Sequence, residues 1–92
     1  MKYSTDTFYQ RDSNIVSSEI ENETVMMDKD FDRYLGLDVI GTRVWQLLEQ
    51  PISIQQIAKQ LTLEYDVSLE QCLNDLKPLM SEFLKNELVV QA

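Results

Sequence analysis

Ninety-two residues confine the chain to one domain, since a second core could not bury enough surface to offset its own chain entropy. Hydrophobic residues at 43% and charged residues at 26% exclude disorder over the whole length, while eight basic against sixteen acidic residues leave a net charge of −8 that repels polyphosphate and favours basic or apolar partners. The opening MKYSTDTFYQRD lacks the apolar run of a secretory signal, no stretch approaches membrane-spanning length, and the single Cys72 has no partner for an internal disulfide; a cytoplasmic protein in a reducing compartment is expected.

In chain order, residues 1–12 are polar apart from Tyr3, Phe8 and Tyr9 and have no sustained period, so they read as a partly ordered lead-in to a domain spanning 13–92. From Asn14 to Glu21 the pattern sets Val16, Ser18 and Ile20 on one face and Ile15, Ser17 and Glu19 on the other, the period of two of a half-buried strand. Asn22 and Glu23 suit a hairpin turn. TVMMD then places Val25 and Met27 on one face, DKD supplies a second turn, and RYLGL sets Leu35 and Leu37 against Tyr34 and Gly36. Three antiparallel strands are expected.

At Asp38, a good N-cap, the period changes to 3.6, with Ile40, Val44, Leu47 and Leu48 on one helical face. Pro51 ends that helix. Ser53 and Gln56 form a capping box for a second helix carrying Ile54, Ile57, Ala58 and Leu61, and Ser68 with Gln71 opens a third that ends near Asn86, a residue tolerant of the left-handed conformation. The order is α+β: a three-stranded sheet with three helices on one face. A third strand at the sheet edge offers unpaired amides and carbonyls that proteins blunt or use.

Catalysis finds no support in the inventory. There is no histidine to activate Cys72, which sits among Leu69, Leu73 and Leu76 as a small buried hydrophobe. Asp28, Asp30 and Asp32 have the spacing of half a calcium loop, but Arg33 takes the glycine position and Val39 that of the bidentate glutamate, so no metal site is expected. Gly36 and Gly41, the only glycines, form no phosphate loop, and no cofactor is implied.

The segment SLEQCLNDLKPLMSEFLKNELV carries apolar residues at Leu69, Cys72, Leu73, Leu76, Leu79, Met80, Phe83 and Leu84. They cover an arc of roughly 140°, wider than the stripe of about 100° that one packing surface needs. Cys72 and Leu79 border it beside Asp75, and Leu73 and Leu84 border the other side; either margin could line a groove, or the helix could contact both sheet and helices. Pro78 lacks an N–H and its ring clashes with the preceding turn, so a kink or break is expected between Asn74 and Pro78.

From about Phe8 to Val90 the chain resembles the PqqD-like peptide chaperones, or RiPP recognition elements, which include the stand-alone partner proteins of lasso-peptide leader peptidases. The resemblance rests on ETVMMDKDFDRYLGLDVIGTRVWQLLEQ, SIQQIAKQLTLEYDVSLEQCLNDL and FLKNELV. It implies a winged-helix-like domain, without catalytic or metal-binding residues, that binds the leader of a ribosomally made precursor peptide and delivers it to a leader peptidase and a cyclase. In such proteins the leader adds as a strand to the third strand and lies against the third helix. The corresponding positions here are Arg33, Tyr34, Leu35, Gly36 and Leu37 on the strand, and Leu69, Cys72, Leu73, Asp75, Leu76 and Leu79 on the helix. Leu35 and Leu37 are more often plain core than ligand contacts, Asp75 also suits a solvated helix charge, and Trp45 fits a core or docking aromatic better than a ligand contact. Two departures from the family are Pro78 in a helix that is normally continuous and Glu87 where glycine usually stands.

A second class of function is a winged helix-turn-helix regulator of transcription, but its recognition helix would carry Lys77 and Lys85 against Glu70, Asp75, Glu82 and Glu87, leaving few phosphate contacts. Neither nucleic acid nor membrane is an expected partner. An exposed edge also permits a homodimer by edge pairing or strand exchange.

Overall fold

The computed structural model describes residues 6–28 and 33–92, with Asp28, Arg33 and Tyr34 described at the level of the backbone. The element order is β1 (Phe8–Arg11), β2 (Ile15–Ile20), β3 (Glu23–Asp28), β4 (Arg33–Leu37), α1 (Val39–Leu47), β5 (Ile52–Ser53), α2 (Ile54–Glu64), α3 (Leu69–Lys85) and β6 (Val89–Gln91). The chain is α+β, with the three expected strands as β2, β3 and β4 and the three helices in their expected order. Three further short strands build a second antiparallel sheet in the order β5-β1-β6 beside the sheet β2-β3-β4.

Part of the lead-in is therefore structural. Phe8–Arg11 pair with β5 on one side and β6 on the other, and Tyr9 is only 4% exposed. Elements of two to four residues show no periodicity of their own; pairing between distant parts of the chain creates them.

The hairpin turn falls one residue earlier than expected. Ile20 pairs with Glu23, leaving Glu21 and Asn22 as a two-residue loop with φ of 52° and 66°. Positive φ at both positions is the type I′ geometry that matches the right-handed strand twist. The inner face of β3 is Thr24 and Met26, both buried, whereas Val25 is 47% exposed. Hydrophobicity alone favours the other register. What reverses it is hydrogen bonding to α1: Thr24 Oγ1 donates to Thr42 Oγ1 at 2.8 Å, and Trp45 Nε1 donates to Ser17 Oγ of β2 at 3.1 Å. Two hydroxyls can thus face the core without unmet donors.

Trp45 is fully buried and meets Phe83 of α3 edge to face, with ring centroids 5.8 Å apart at 75°. Met26, Val44, Leu48, Ile54, Ile57, Met80 and Phe83 complete the centre of the core. The Arg11 guanidinium lies 4.9 Å from the Trp45 ring centroid and its Nε donates to the Trp45 carbonyl at 2.8 Å, binding β1 to α1.

Each helix begins at its expected cap: Asp38, Ser53 and Ser68 accept from the N–H groups of Gly41, Gln56 and Gln71. The box at Ser53 is complete, with Ser53 N–H returning to Gln56 Oε1 at 3.2 Å. At Ser68 the box is half made, because the Gln71 amide turns forward to Asp75. Pro78 does not break α3, which runs unbroken from Leu69 to Lys85. Pro78 and Asn74 both face solvent, so the carbonyl that Pro78 leaves without a donor is open to water, while buried Cys72, Leu76, Met80 and Phe83 hold the turns on either side.

Asn86 is the C-cap of α3 with φ of −91°, and the left-handed position is Glu87, at φ 59°. Leu88 N–H reaches the Phe83 carbonyl at 2.8 Å and Glu87 N–H the Leu84 carbonyl at 3.1 Å, the paired bonds of a Schellman motif. That explains the departure at 87: the backbone geometry of a glycine is kept by a glutamate. The turn feeds β6 back onto β1, where Ala92 N–H closes on the Phe8 carbonyl at 2.8 Å.

Candidate functional site

β4 is an edge strand. It pairs with β3 in the register Thr24 to Leu37, Met26 to Leu35 and Asp28 to Arg33, and nothing among the described residues pairs with its other side. The amino-terminal strand, which might have sealed that margin, is held between β5 and β6 in the other sheet. In an antiparallel strand alternate residues turn their N–H and C=O groups away from the existing partner, so β4 presents a ready template for another extended segment.

The same contacts that anchor α1 fix what lies beyond the strand's end. Thr42, held by Thr24, donates in turn to the Leu37 carbonyl at 3.4 Å. A Cβ on Gly41 would stand 3.2 Å from Asp38 Oδ1 and 3.3 Å from Leu37 Cβ, so the glycine lets the first turn of α1 sit tight against the end of β4. Ile40 is thereby delivered into the wall of a cavity.

That cavity, of about 180 Å³, lies among the start of α1, the end of α2 with its following loop, and α3; it is lined by Ile40, Leu61, Tyr65, Val67, Cys72, Asp75, Leu76 and Leu79. On α3 the lining falls at i, i+3, i+4 and i+7, one stripe of the helix. The helices that wall the cavity are braced by Arg43, whose Nε and Nη2 donate to the Glu64 carboxylate at 2.8 and 2.7 Å, with Gln60 Nε2 adding a further bond at 2.8 Å. These bonds hold the Glu64 carboxyl well below its ordinary range, at about 2. They tie the end of α2, one residue before Tyr65, to α1.

Cys72 is 5% exposed, and burial, with the Asp75 charge as a lesser cause, pushes its thiol upward, away from the reactive thiolate. Asp75 stands at the rim with Oδ1 accepting from Gln71 Nε2 at 2.9 Å. No group of three or more acidic, cysteine or histidine side chains able to hold a metal occurs among the described residues, and none of their helices is long and apolar enough to cross a membrane. The arrangement offers an apolar socket, a carboxylate and an open strand edge, which is equipment for holding a chain.

Of the helix positions expected at the site, the structure gathers Cys72, Asp75, Leu76 and Leu79 around the cavity. Leu69 and Leu73 lie outside the cavity lining and are half-buried against the core, as Leu79 also is. Leu35 and Leu37 point to the inner face of the sheet and pack on the core as well, while Gly36 is exposed between them. The backbones of Arg33 and Tyr34 lie in β4; their side chains, with the acidic turn at 29–32, fall outside the described residues. Sequence reasoning missed Ile40, Leu61, Tyr65 and Val67 as lining. The first two were read as core stripe, but Tyr65 and Val67 carried a signal, since large apolar residues in a short interhelical loop need something to cover them.

Known proteins frame this geometry. No curated protein matches the chain significantly. Among solved structures it is similar to TbiB1 in complex with the TbiA(beta) leader peptide, at 29% identity and a TM-score of 0.81 over 87% of this chain and 93% of that one. It shares its fold with lasso peptide synthetase B1 complexed with its leader peptide, at 21% identity and TM-score 0.77 over 89% and 96% of the two chains. The same fold recurs in the PqqD truncation of Methylobacterium extorquens PqqCD, a stand-alone RiPP recognition element, at 18% identity and TM-score 0.80 over 98% and 96%. The family model of coenzyme PQQ synthesis protein D matches residues 23–89, from the start of β3 to the start of β6 and thus through the open strand and the whole cavity, and the chain belongs to the PqqD family.

Proposed function

We propose that this chain is a non-catalytic RiPP recognition element that binds the leader of a ribosomally made precursor, of the lasso class, and hands it to a leader peptidase and a cyclase in the cytoplasm. The observation that carries the reading is the unpaired edge of β4, whose end leads through Asp38 to Ile40 in the wall of an apolar cavity on α3. Strand addition there supplies sequence-tolerant backbone bonds, and the cavity selects among side chains. Residues 13–92, with β1 of the lead-in paired into them, form the binding domain, with Arg33, Tyr34, Leu35, Gly36, Leu37, Leu69, Cys72, Leu73, Asp75, Leu76 and Leu79 as its leader-facing set. Support comes from the two leader-bound proteins of like fold, one of them 29% identical to this chain.

A leader segment of about ten residues burying several hundred Å² at about 25 cal/mol per Å² offsets its ordering cost and leaves a dissociation constant of order nanomolar to micromolar. A homodimer through the same edge would compete with it. The net charge of −8 weighs against the regulator of transcription. The test is a titration of isotope-labelled protein with the synthetic leader of the short precursor encoded beside a cysteine peptidase and an asparagine-synthetase-like cyclase. Amide shifts concentrated in residues 33–37 and 69–79 are expected; a folded protein whose spectrum stays silent there overturns the reading.

A further inference from the structure

We infer that the segment this site recognises is basic: one large aromatic or branched aliphatic side chain fills the cavity, and a lysine or arginine beside it meets Asp75 at the rim. The inference rests on the leader-binding reading and deepens it, by naming the chemistry of the guest. Size sets the anchor. A dry apolar cavity of about 150 Å³ accepts a benzene ring, and this one measures about 180 Å³ with seven of its eight lining residues apolar or aromatic.

Charge sets the neighbour. The acidic member of the lining is Asp75; Gln71 engages its Oδ1, and among the described residues no side chain bonds its other oxygen. One more carboxylate neighbours the wall along the chain: Asp66, exposed in the loop between the lining residues Tyr65 and Val67.

Among the described residues no cation lies in the lining to offset them. Arg43 of α1 is committed to Glu64. Lys77 of α3 stands about 150° around the helix from the stripe of Cys72, Asp75, Leu76 and Leu79, and Lys59 of α2 about 160° from Leu61. A guest that carries positive charge next to its anchor gains at this rim, and an acidic guest is repelled both there and by the molecule's net charge of −8.

The experiment is a display selection of random ten-residue peptides against the intact protein, followed by anisotropy measurements on the enriched peptides. Enrichment of an aromatic, leucine or isoleucine residue one or two positions from lysine or arginine is expected. Affinity should fall about threefold to tenfold in Asp75→Asn, less in Asp66→Asn, and about fivefold when sodium chloride rises from about 50 to 500 mM. Neutral or acidic peptides that shift the β4 amides, or basic ones indifferent to Asp75→Asn and to salt, overturn the charge rule and leave leader binding standing. Enriched peptides that leave β4 and α3 amides unmoved, or a dimer of the chain that fills the site and excludes every peptide, overturn both.

Discussion

In the sheet of β5, β1 and β6 the outer strands are two and three residues long, the central strand is paired on both sides, and the last N–H of the chain closes on Phe8. In the sheet of β2, β3 and β4 the outer strands run for six and five residues, and β4 keeps one margin unpaired among the described residues. Short outer strands give an incoming chain little to read, whereas five consecutive residues of extended backbone do. The β2 margin is one residue longer but carries Glu19 and leads into Glu21, charges of the kind that discourage pairing. One sheet therefore ties the ends of the chain to the core, and the other holds an edge in reserve. Substitutions in the first should act on stability, and those around the second on binding.

The largest effect is expected in the closed sheet. Tyr9→Ala removes a buried aromatic side chain from β1 and should cost about 3 kcal/mol or more in urea unfolding. A loss below about 1 kcal/mol would mean that β1 is an appendage and that the contrast between the sheets is overstated.

A smaller change of opposite sign is expected where α3 turns into β6. Glu87 holds a left-handed φ of 59° that suits glycine. Glu87→Gly should stabilise the fold by about 0.5–1 kcal/mol, read as a rise in Tm, without altering peptide affinity. A drop in Tm would show that the glutamate side chain makes a contact worth more than the strain it tolerates.

The smallest effect concerns the brace between α1 and the end of α2. Arg43→Met should cost about 0.5–1 kcal/mol at neutral pH, because the pair is solvent-accessible. Glu64 titrates lower in the folded protein, at about 2, than its ordinary 4.5, so its contribution is complete above about pH 5 and is lost as pH falls through about 2. The gap between wild type and variant should close over that window; a gap independent of pH would assign the loss to packing of the arginine stem.

The legible parts of the chain are those whose physics is local. Asp38, Ser53 and Ser68 announce helix starts because a cap bonds within three residues of itself, and β2, β3 and β4 alternate over enough positions to show a period. The rest depends on distant partners. Nothing near Phe8 reveals that Ile52 and Val89 will flank its strand. Thr24 reads as outward until Thr42 supplies its hydrogen bond, and Pro78 reads as a break until both neighbouring turns are seen anchored in the core.

At the site, the stripe of Cys72, Leu76 and Leu79 with Asp75 could be read from helical spacing and resemblance. The opposite wall of Ile40, Leu61, Tyr65 and Val67 could not, since three separate segments converge to make it. Leu69 and Leu73, to which the resemblance also pointed, lie outside the cavity lining and are half-buried beside the core.

Amide hydrogen exchange, with and without a saturating leader peptide, tests the central claim most directly, because strand addition must bury specific backbone groups. Alternate amides among Arg33 to Leu37 should slow by about tenfold or more when peptide binds, while those of Phe8 to Arg11, in a strand already held between β5 and β6, stay as they were. Bound peptide with unchanged exchange throughout β4 would contradict it.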